Sequence, residues 1–167
     1  MNPKYVPPGI NDSKKLNPKQ RLKLAEEIRG VAEDCAVAFV DSSIIDKINI
    51  LNATRQAMRL AIEKLKIKPD YLLCDGIVVG AVSIPELSIV KGDTRSISIA
   101  AASIVAKVER DRLIVSLDSQ FPGYGLKQNM GYGTVKHLEA LQRFGPTTLH
   151  RKSFRGCLKI DITIPRC

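Results

Sequence analysis

The apolar positions of this chain recur with helical spacing in some stretches and form short continuous runs in others, which predicts an α/β fold. Residues 18–29 form the first predicted helix, with Asn17 as its N-terminal cap. The apolar run at residues 35–40 predicts a buried strand. A long helix is predicted over residues 44–66, with an interruption near Asn49. The apolar stripe of that helix comprises Leu51, Met58, Ala61, Ile62 and Leu65.

Two acidic residues follow two short apolar runs in the middle of the chain. Asp75 follows the strand predicted at residues 71–74, and Asp93 follows the one at residues 87–90 through Lys91-Gly92. Acids at the ends of two strands, beside a lysine and the start of a helix, are typical of a metal site that faces a phosphate. Aspartates next to glycines also cap ordinary turns, so both interpretations stay open at this point.

A long helix is predicted over residues 96–120, with a periodic apolar face formed by Ile97, Ala101, Ile104, Val105 and Val108. Glycine-rich segments then place Tyr124 and Tyr132 in loops. A tyrosine flanked by glycines can stack on a sugar or base, or can merely cover its loop. Thr134 is predicted to cap a last helix that ends at Phe144, and residues 158–164 alternate with a strand period.

Composition narrows the class of protein. The 167 residues carry 26 Lys and Arg against 17 Asp and Glu, a net charge of +9, which indicates a polyanionic partner such as nucleic acid; dispersed, solvated lysines are the alternative. No apolar run reaches the ~18 residues of a membrane-spanning helix. Four cysteines lie far apart without a CxxC pair, so neither zinc nor a disulfide framework is predicted, and we expect a reduced, cytoplasmic protein.

Eight motifs in one order and spacing carry a resemblance to a known family. The chain resembles ribonuclease HII, the type 2 ribonuclease H family, over roughly residues 9–154. The matching motifs are DSKKL (12–16), NILNAT (49–54), CDG (74–76), KGD (91–93), SIAAASIVAKVERDR (98–112), FPGYG (121–125), GYGTVKHLEAL (131–141) and GPT…HRKSF (145–154).

The resemblance implies a ribonuclease H-like α/β domain, with a mixed sheet flanked by helices and a helical C-terminal part. It implies an endoribonuclease that cleaves the RNA strand of RNA/DNA hybrids and ribonucleotides embedded in DNA, by two-metal-ion hydrolysis with Mg²⁺ or Mn²⁺ on four carboxylates. The intact family member is expected to be a monomer without membrane contact. The implied metal ligands and catalytic residues are Asp75 and Asp93, and the implied nucleic-acid contacts are Lys14, Asn52, Thr54 and Tyr132.

The chain also departs from the family pattern. The family's Asp-Glu-Ala-Gly-Arg-Gly motif, which supplies the other two carboxylates from the first strand, is absent. We therefore expect residues 1–167 to form one ribonuclease H-like domain without its first two strands, followed by an unassigned tail at residues 155–167. We also expect exposed sheet edges, a tendency to aggregate, poor metal binding and little activity. Asn129 and Met130 replace the family's usual histidine and lysine.

Two other functions stay open. A catalytically dead fragment that binds RNA/DNA hybrids would keep the nucleic-acid contacts without the chemistry. A Mg²⁺-dependent phosphatase could use the same acid pair, although the series of motifs argues against it.

Overall fold

The computed structural model describes residues 5–11, 13–154 and 157. The described residues fall into two compact units, Met1–Phe39 with Thr54–Arg110, and Val40–Ala53 with Asp111–Cys167. Their secondary structure comprises the helices α1 (Pro18–Val31), α2 (Ser42–Glu63), α3 (Gly92–Arg95), α4 (Ile97–Leu117), α5 (Leu126–Asn129) and α6 (Val135–Phe144), and the strands β1 (Leu72–Asp75) and β2 (Glu86–Ile89). The α/β class predicted from the sequence is confirmed.

Helix α1 begins where its capping signal predicts. The Asn17 side chain accepts a hydrogen bond from the Gln20 backbone N–H, and the Gln20 side chain accepts one from the Asn17 N–H, so the two residues satisfy each other's backbone donors. The helix continues through Gly30 to Val31, two residues beyond the predicted end. Its buried face packs on α4 in the core of the first unit, which contains Leu24, Ala25, Ile28, Ala101, Ile104, Val105 and Val108.

The interruption predicted in α2 is present at Asn49. This residue has φ 64° and ψ 167°, a conformation that does not belong in a helix. Its side-chain oxygen accepts a hydrogen bond from the Asn52 backbone N–H at 3.1 Å, so Asn49 opens the helical turn that follows. Positive φ combined with ψ near 180° is a conformation that essentially only glycine adopts freely, so the backbone is strained at Asn49.

The prediction of a strand at residues 35–40 is wrong. The segment is extended but joins no strand ladder among the residues described, and Phe39 remains 47% exposed. An apolar run becomes a strand only when another strand offers it hydrogen bonds. Here the Val37 carbonyl instead accepts a hydrogen bond from the Lys64 ammonium at 3.2 Å.

Strands β1 and β2 pair in parallel, with Leu72 opposite Glu86 and Asp75 opposite Ile89. Within the described part of the chain this two-stranded pair is the whole sheet, smaller than the mixed sheet expected from the family. The second edge of β1 pairs with no described strand, and Leu73 is 43% exposed. These are the exposed edge and apolar surface expected from the departure in sequence.

A cavity of about 600 Å³ lies within the first unit. The extended residues 35–38 and strand β1 border it, together with apolar residues of α2 and α4. Part of the apolar stripe predicted for α2 therefore lines this cavity. Leu51, at the start of the stripe, is exposed. On α4 the predicted apolar face is buried except at Ile97, which is 52% exposed at the first turn.

Candidate functional site

Asp75 is the last residue of β1, as the sequence predicts. Its side chain is exposed, and its Oδ1 accepts a hydrogen bond from the Gly92 backbone N–H at 2.7 Å. The next residue, Gly76, donates its N–H to the Ile89 carbonyl at 3.0 Å. One carboxylate oxygen is thereby held toward the end of β2.

Asp93 lies in the first turn of α3, directly after the glycine that binds Asp75. The turn into α3 is made by Lys91, whose φ of 53° is left-handed, and the Lys91 carbonyl accepts hydrogen bonds from both the N–H and the hydroxyl of Thr94. The Asp93 side chain is half-buried. The structure therefore brings the two predicted acids to the same end of the parallel strands.

Gly92 is fixed in place by close packing. A Cβ atom at this position would lie 2.6 Å from Cδ1 of Ile99 and 3.4 Å from Oδ1 of Asp75. The turn can approach both α4 and the acid only because residue 92 has no side chain. This requirement gives the glycine of the KGD motif a physical reason.

The chemistry of the two acids fits a hard divalent ion. Carboxylate oxygens are the preferred ligands of Mg²⁺, which is commonly bound by one or two carboxylates together with waters and phosphates. No cluster of three or more His, Cys, Asp or Glu residues that could hold a metal occurs among the residues described. Glu86 lies at the other end of the strand pair, opposite Leu72, and its carboxylate accepts hydrogen bonds from the N–H groups of Val79 and Gly80.

The predicted nucleic-acid contacts are distributed over both units. In the first unit, Lys14 is exposed in the turn before α1, whereas Thr54 is half-buried and lines the cavity. In the second unit, Asn52 is exposed one turn after the Asn49 interruption, and Tyr132 is 56% exposed.

The two tyrosines of the glycine-rich segments differ in environment. Tyr124 lies in a loop, as predicted, but it is 7% exposed and donates its hydroxyl to the Gly145 carbonyl at 2.6 Å, so it is a core residue. Burial raises the pKa of its phenol. Tyr124 belongs to the core of the second unit because the glycines around it let the chain fold back on helix α6. Only Tyr132 keeps the exposure that stacking requires.

The sequence analysis missed a buried polar cluster around the two histidines of the chain. His137 is 5% exposed and its Nε2 lies 3.4 Å from Nε2 of His150, with the rings stacked at 22°. Burial lowers the pKa of His150, and the positive charge of a protonated His137 would lower it further. Asn129, also buried, touches His137. The signal available was that both histidines fall inside family motifs, GYGTVKH and HRKSF.

A second missed residue is Asp46 on α2. Its carboxylate accepts hydrogen bonds from the backbone N–H groups of Lys152 and Ser153 and from the Ser153 hydroxyl. These bonds, the hydroxyl first, lower the pKa of Asp46. Arg151 and Lys152 are both basic, so Asp46 holds the backbone of a basic segment; Arg155 and the alternating residues 158–164 lie outside the described residues.

Solved structures with this fold come from ribonuclease H proteins. The ribonuclease H2 of Pyrococcus horikoshii OT3 matches with a TM-score of 0.69 at 24% identity, covering 91% of this chain and 80% of that one. A chain of the PCNA:RNase HII complex from Archaeoglobus fulgidus matches with a TM-score of 0.65 at 25% identity, covering 86% and 77%. The fold, with two acids at the ends of parallel strands, defines a ribonuclease H-like α/β protein.

Sequence comparison defines the family within that class. The family "Ribonuclease HII" matches residues 6–157, and the chain belongs to the ribonuclease HII family. Ribonuclease HII of Geotalea uraniireducens is 52% identical over 149 residues, 89% of this chain and 69% of the relative. Those of Syntrophomonas wolfei and Caldicellulosiruptor bescii are 52% and 51% identical, over 58% and 75% of their own lengths and 88% and 92% of this chain. The chain thus spans roughly three fifths to three quarters of these relatives.

None of the helices in the described part of the chain combines the length and apolar character needed to span a bilayer.

Proposed function

We propose that this chain binds RNA/DNA hybrids, or DNA that contains ribonucleotides, and that its acids form part of the endoribonuclease site of the family. The observation that carries the proposal is the hydrogen bond from Gly92 N–H to Asp75 Oδ1, which ties the family-matched Asp75 to the turn that carries Asp93. Membership in a ribonuclease family supports phosphodiester hydrolysis as the chemistry.

In this proposal Asp75 and Asp93 provide oxygen ligands for Mg²⁺ or Mn²⁺. Such an ion, when bound, would activate the attacking water and stabilise the departing 3′ oxygen. The chain's own contribution is orientation: the Gly92 N–H holds one Asp75 oxygen. The other Asp75 oxygen and the Asp93 carboxylate would then coordinate an ion, and that ion would bind a phosphate. Lys14 would contact a phosphate, Asn52 and Thr54 would lie along the duplex, and Tyr132 would stack on the sugar at an RNA–DNA junction.

Cleavage of nucleic acid by this chain should be weak. Two of the family's four carboxylates belong to a motif that this sequence lacks, so a pair of ions would lose much of its charge compensation. We expect cleavage more than ~100-fold slower than that of the Geotalea uraniireducens relative, because losing a direct ligand should exceed the ~10–100-fold cost of losing an outer-shell partner. We also propose that the chain is cytoplasmic and that the intact family member is a monomer.

The test measures binding and cleavage separately on a labelled duplex that carries one ribonucleotide. Binding by fluorescence anisotropy should persist in EDTA, while Mn²⁺-dependent cleavage should be slow and should fall further in Asp75→Asn and Asp93→Asn. Asp70→Asn, a change at an exposed acid before β1, is the matched control and should leave both readouts unchanged. Cleavage at the rate of the relative would refute weak activity, and equal binding to all-DNA duplex would refute recognition of the ribonucleotide.

The second candidate is the hybrid-binding fragment without catalysis. It is favoured by the finding that the described residues contain no cluster of three metal-binding side chains. Binding in EDTA with no detectable cleavage at any Mn²⁺ concentration would select it over the first.

A further inference from the structure

We propose that Asn129 positions Tyr132 for contact with nucleic acid, and that the carbonyl of Tyr124 fixes the orientation of Asn129. The proposal rests on the proposed function for the role of Tyr132, whereas the positioning itself is a property of the second unit alone. All residues involved belong to that unit.

The backbone before Tyr132 is strained. Met130 has φ 50° and Gly131 has φ 72°, so two consecutive left-handed residues precede the tyrosine. A left-handed residue other than glycine costs about 1–2 kcal/mol unless its surroundings compensate. The chain turns sharply at this point and presents the Tyr132 side chain outward.

Asn129 supplies the compensation from two directions. Its side-chain Oδ1 accepts a hydrogen bond from the Gly131 N–H at 2.7 Å, and its backbone carbonyl accepts one from the Tyr132 N–H at 2.8 Å. On the far side of the turn, the Thr134 N–H donates to the Tyr132 carbonyl at 2.8 Å. One buried residue therefore holds both the glycine and the tyrosine of the GY motif.

The orientation of the Asn129 amide follows from its other contact. Its Nδ2 donates to the Tyr124 carbonyl at 2.7 Å. A flipped amide would turn its oxygen toward that carbonyl and its NH₂ toward the Gly131 N–H, which leaves both contacts repulsive. Because Asn129 is only 8% exposed, water cannot replace the lost bonds at low cost.

The two histidines form a series of hydrogen bonds that ends at the Tyr124 carbonyl. The Thr147 N–H donates to Nδ1 of His150, which puts the proton of a neutral His150 on Nε2. That proton is directed at Nε2 of His137, 3.4 Å away, and the remaining proton of His137 on Nδ1 reaches the Tyr124 carbonyl at 3.1 Å. With this proton assignment His137 Nδ1 and Asn129 Nδ2 both donate to the Tyr124 carbonyl, so the neutral pair packs beside Asn129 without a hydrogen bond to it.

A readout without nucleic acid tests the positioning directly. The sequence contains no tryptophan, so Tyr132→Trp introduces a single fluorescent reporter at the tip of the turn. Adding Asn129→Ala should raise acrylamide quenching of that reporter about twofold and lower its anisotropy, because the Gly131 N–H loses its side-chain acceptor and only the backbone bond from residue 132 to the residue 129 carbonyl remains. Gln128→Ala, a change at an exposed residue of the same short helix, is the matched control and should change neither. An unaltered reporter in folded Asn129→Ala protein would overturn the proposal.

A double-mutant cycle then asks whether Asn129 acts through Tyr132. Tyr132→Ala should weaken hybrid binding ~10-fold, within the range for a stacked base. Asn129→Ala should weaken it ~5-fold with Tyr132 present and less than ~2-fold in the Tyr132→Ala background. Equal losses in both backgrounds would mean that Asn129 only stabilises the fold, and would overturn the proposal.

If Asn129→Ala does not fold, Asn129→Asp replaces it. The aspartate keeps the acceptor for Gly131 but has no donor for Tyr124, and the same increase in quenching is expected. Failure of the unmodified chain to bind any hybrid would refute the proposed function, while the reporter would still decide whether Asn129 positions residue 132.

Discussion

Replacing Gly92 with alanine tests the packing that brings the two candidate acids together. The new Cβ would lie 2.6 Å from Ile99 Cδ1, closer than nonbonded carbons approach one another, so either the Ile99 side chain or the turn at residues 91–93 must move. Ile99 is 6% exposed and borders the cavity of the first unit, so its side chain can move only toward that space. Movement of the turn would instead lengthen the 2.7 Å hydrogen bond from Gly92 to Asp75.

The expected magnitude follows from the size of the overlap. Inserting a methyl group into a packed site costs about 1–3 kcal/mol, and in a chain of this length 1 kcal/mol corresponds to roughly 2–4 °C in melting temperature. A second substitution, Ile99→Val, should relieve the overlap, because it removes the Cδ1 atom that the new Cβ would meet. Alone, that change should cost about 0.5–1.5 kcal/mol through the space it leaves. In the double variant the new methyl should partly fill that space.

The assay is urea unfolding of the two single variants and the double variant, with Mn²⁺ affinity as the second readout. We expect the double variant to be at least ~1 kcal/mol more stable than the sum of the single effects predicts. We also expect Gly92→Ala to weaken Mn²⁺ binding and Ile99→Val to restore part of it. Gly30→Ala in α1 is the matched control: nothing lies within 4 Å of its Cβ, and it should stabilise the helix by about 0.5–1 kcal/mol. Additive effects of the two changes would refute the reasoning.

Three further predictions concern the second unit. Tyr124→Phe should lower the free energy of unfolding by about 1–2 kcal/mol, because the Gly145 carbonyl loses its hydrogen-bond donor; an unchanged urea midpoint would contradict this. Since its pKa is lowered on folding, His150 binds a proton less readily in the folded state than its ordinary pKa of 6.5 allows. The contribution of neutral His150 to the free energy of unfolding should therefore be complete above pH 6.5 and lost as the pH falls below it. His150→Asn should then flatten the fall in stability between about pH 7.5 and 5.5. Asp46→Asn should speed hydrogen exchange at the amides of Lys152 and Ser153 relative to unchanged exchange in α6, and equal protection in both proteins would refute its role as the acceptor.

The sequence predicted best those features that depend on neighbouring residues. The start of α1 follows from Asn17 and Gln20, which satisfy each other's donors within one turn. The interruption at Asn49 follows from a side chain that reaches the N–H three residues ahead. Thr134 similarly caps α6 by accepting from the His137 N–H. Short-range signals of this kind require no knowledge of the rest of the fold.

The features that the sequence analysis missed depend on partners distant in the chain. Tyr124 in its glycine-rich context has the composition of a loop, and only the position of α6 and the Gly145 carbonyl makes it a core residue. Asp46 has no local feature that identifies the amides 106 and 107 residues away that it holds. For residues 35–40 the apolar pattern was sufficient to predict burial of a strand but could not supply the neighbouring strand that hydrogen bonding requires.

The same distinction explains why the candidate site was predicted in part. Each acid could be located from its own strand and glycine, but their proximity depends on the parallel register of β1 with β2 and on the close packing of Gly92 against Ile99. A parallel register places the carboxyl ends of both strands at one edge. The missing side chain at residue 92 lets the turn that carries Asp93 approach Asp75. Any substitution that alters this register or this packing should therefore reduce metal binding even when both acids are retained.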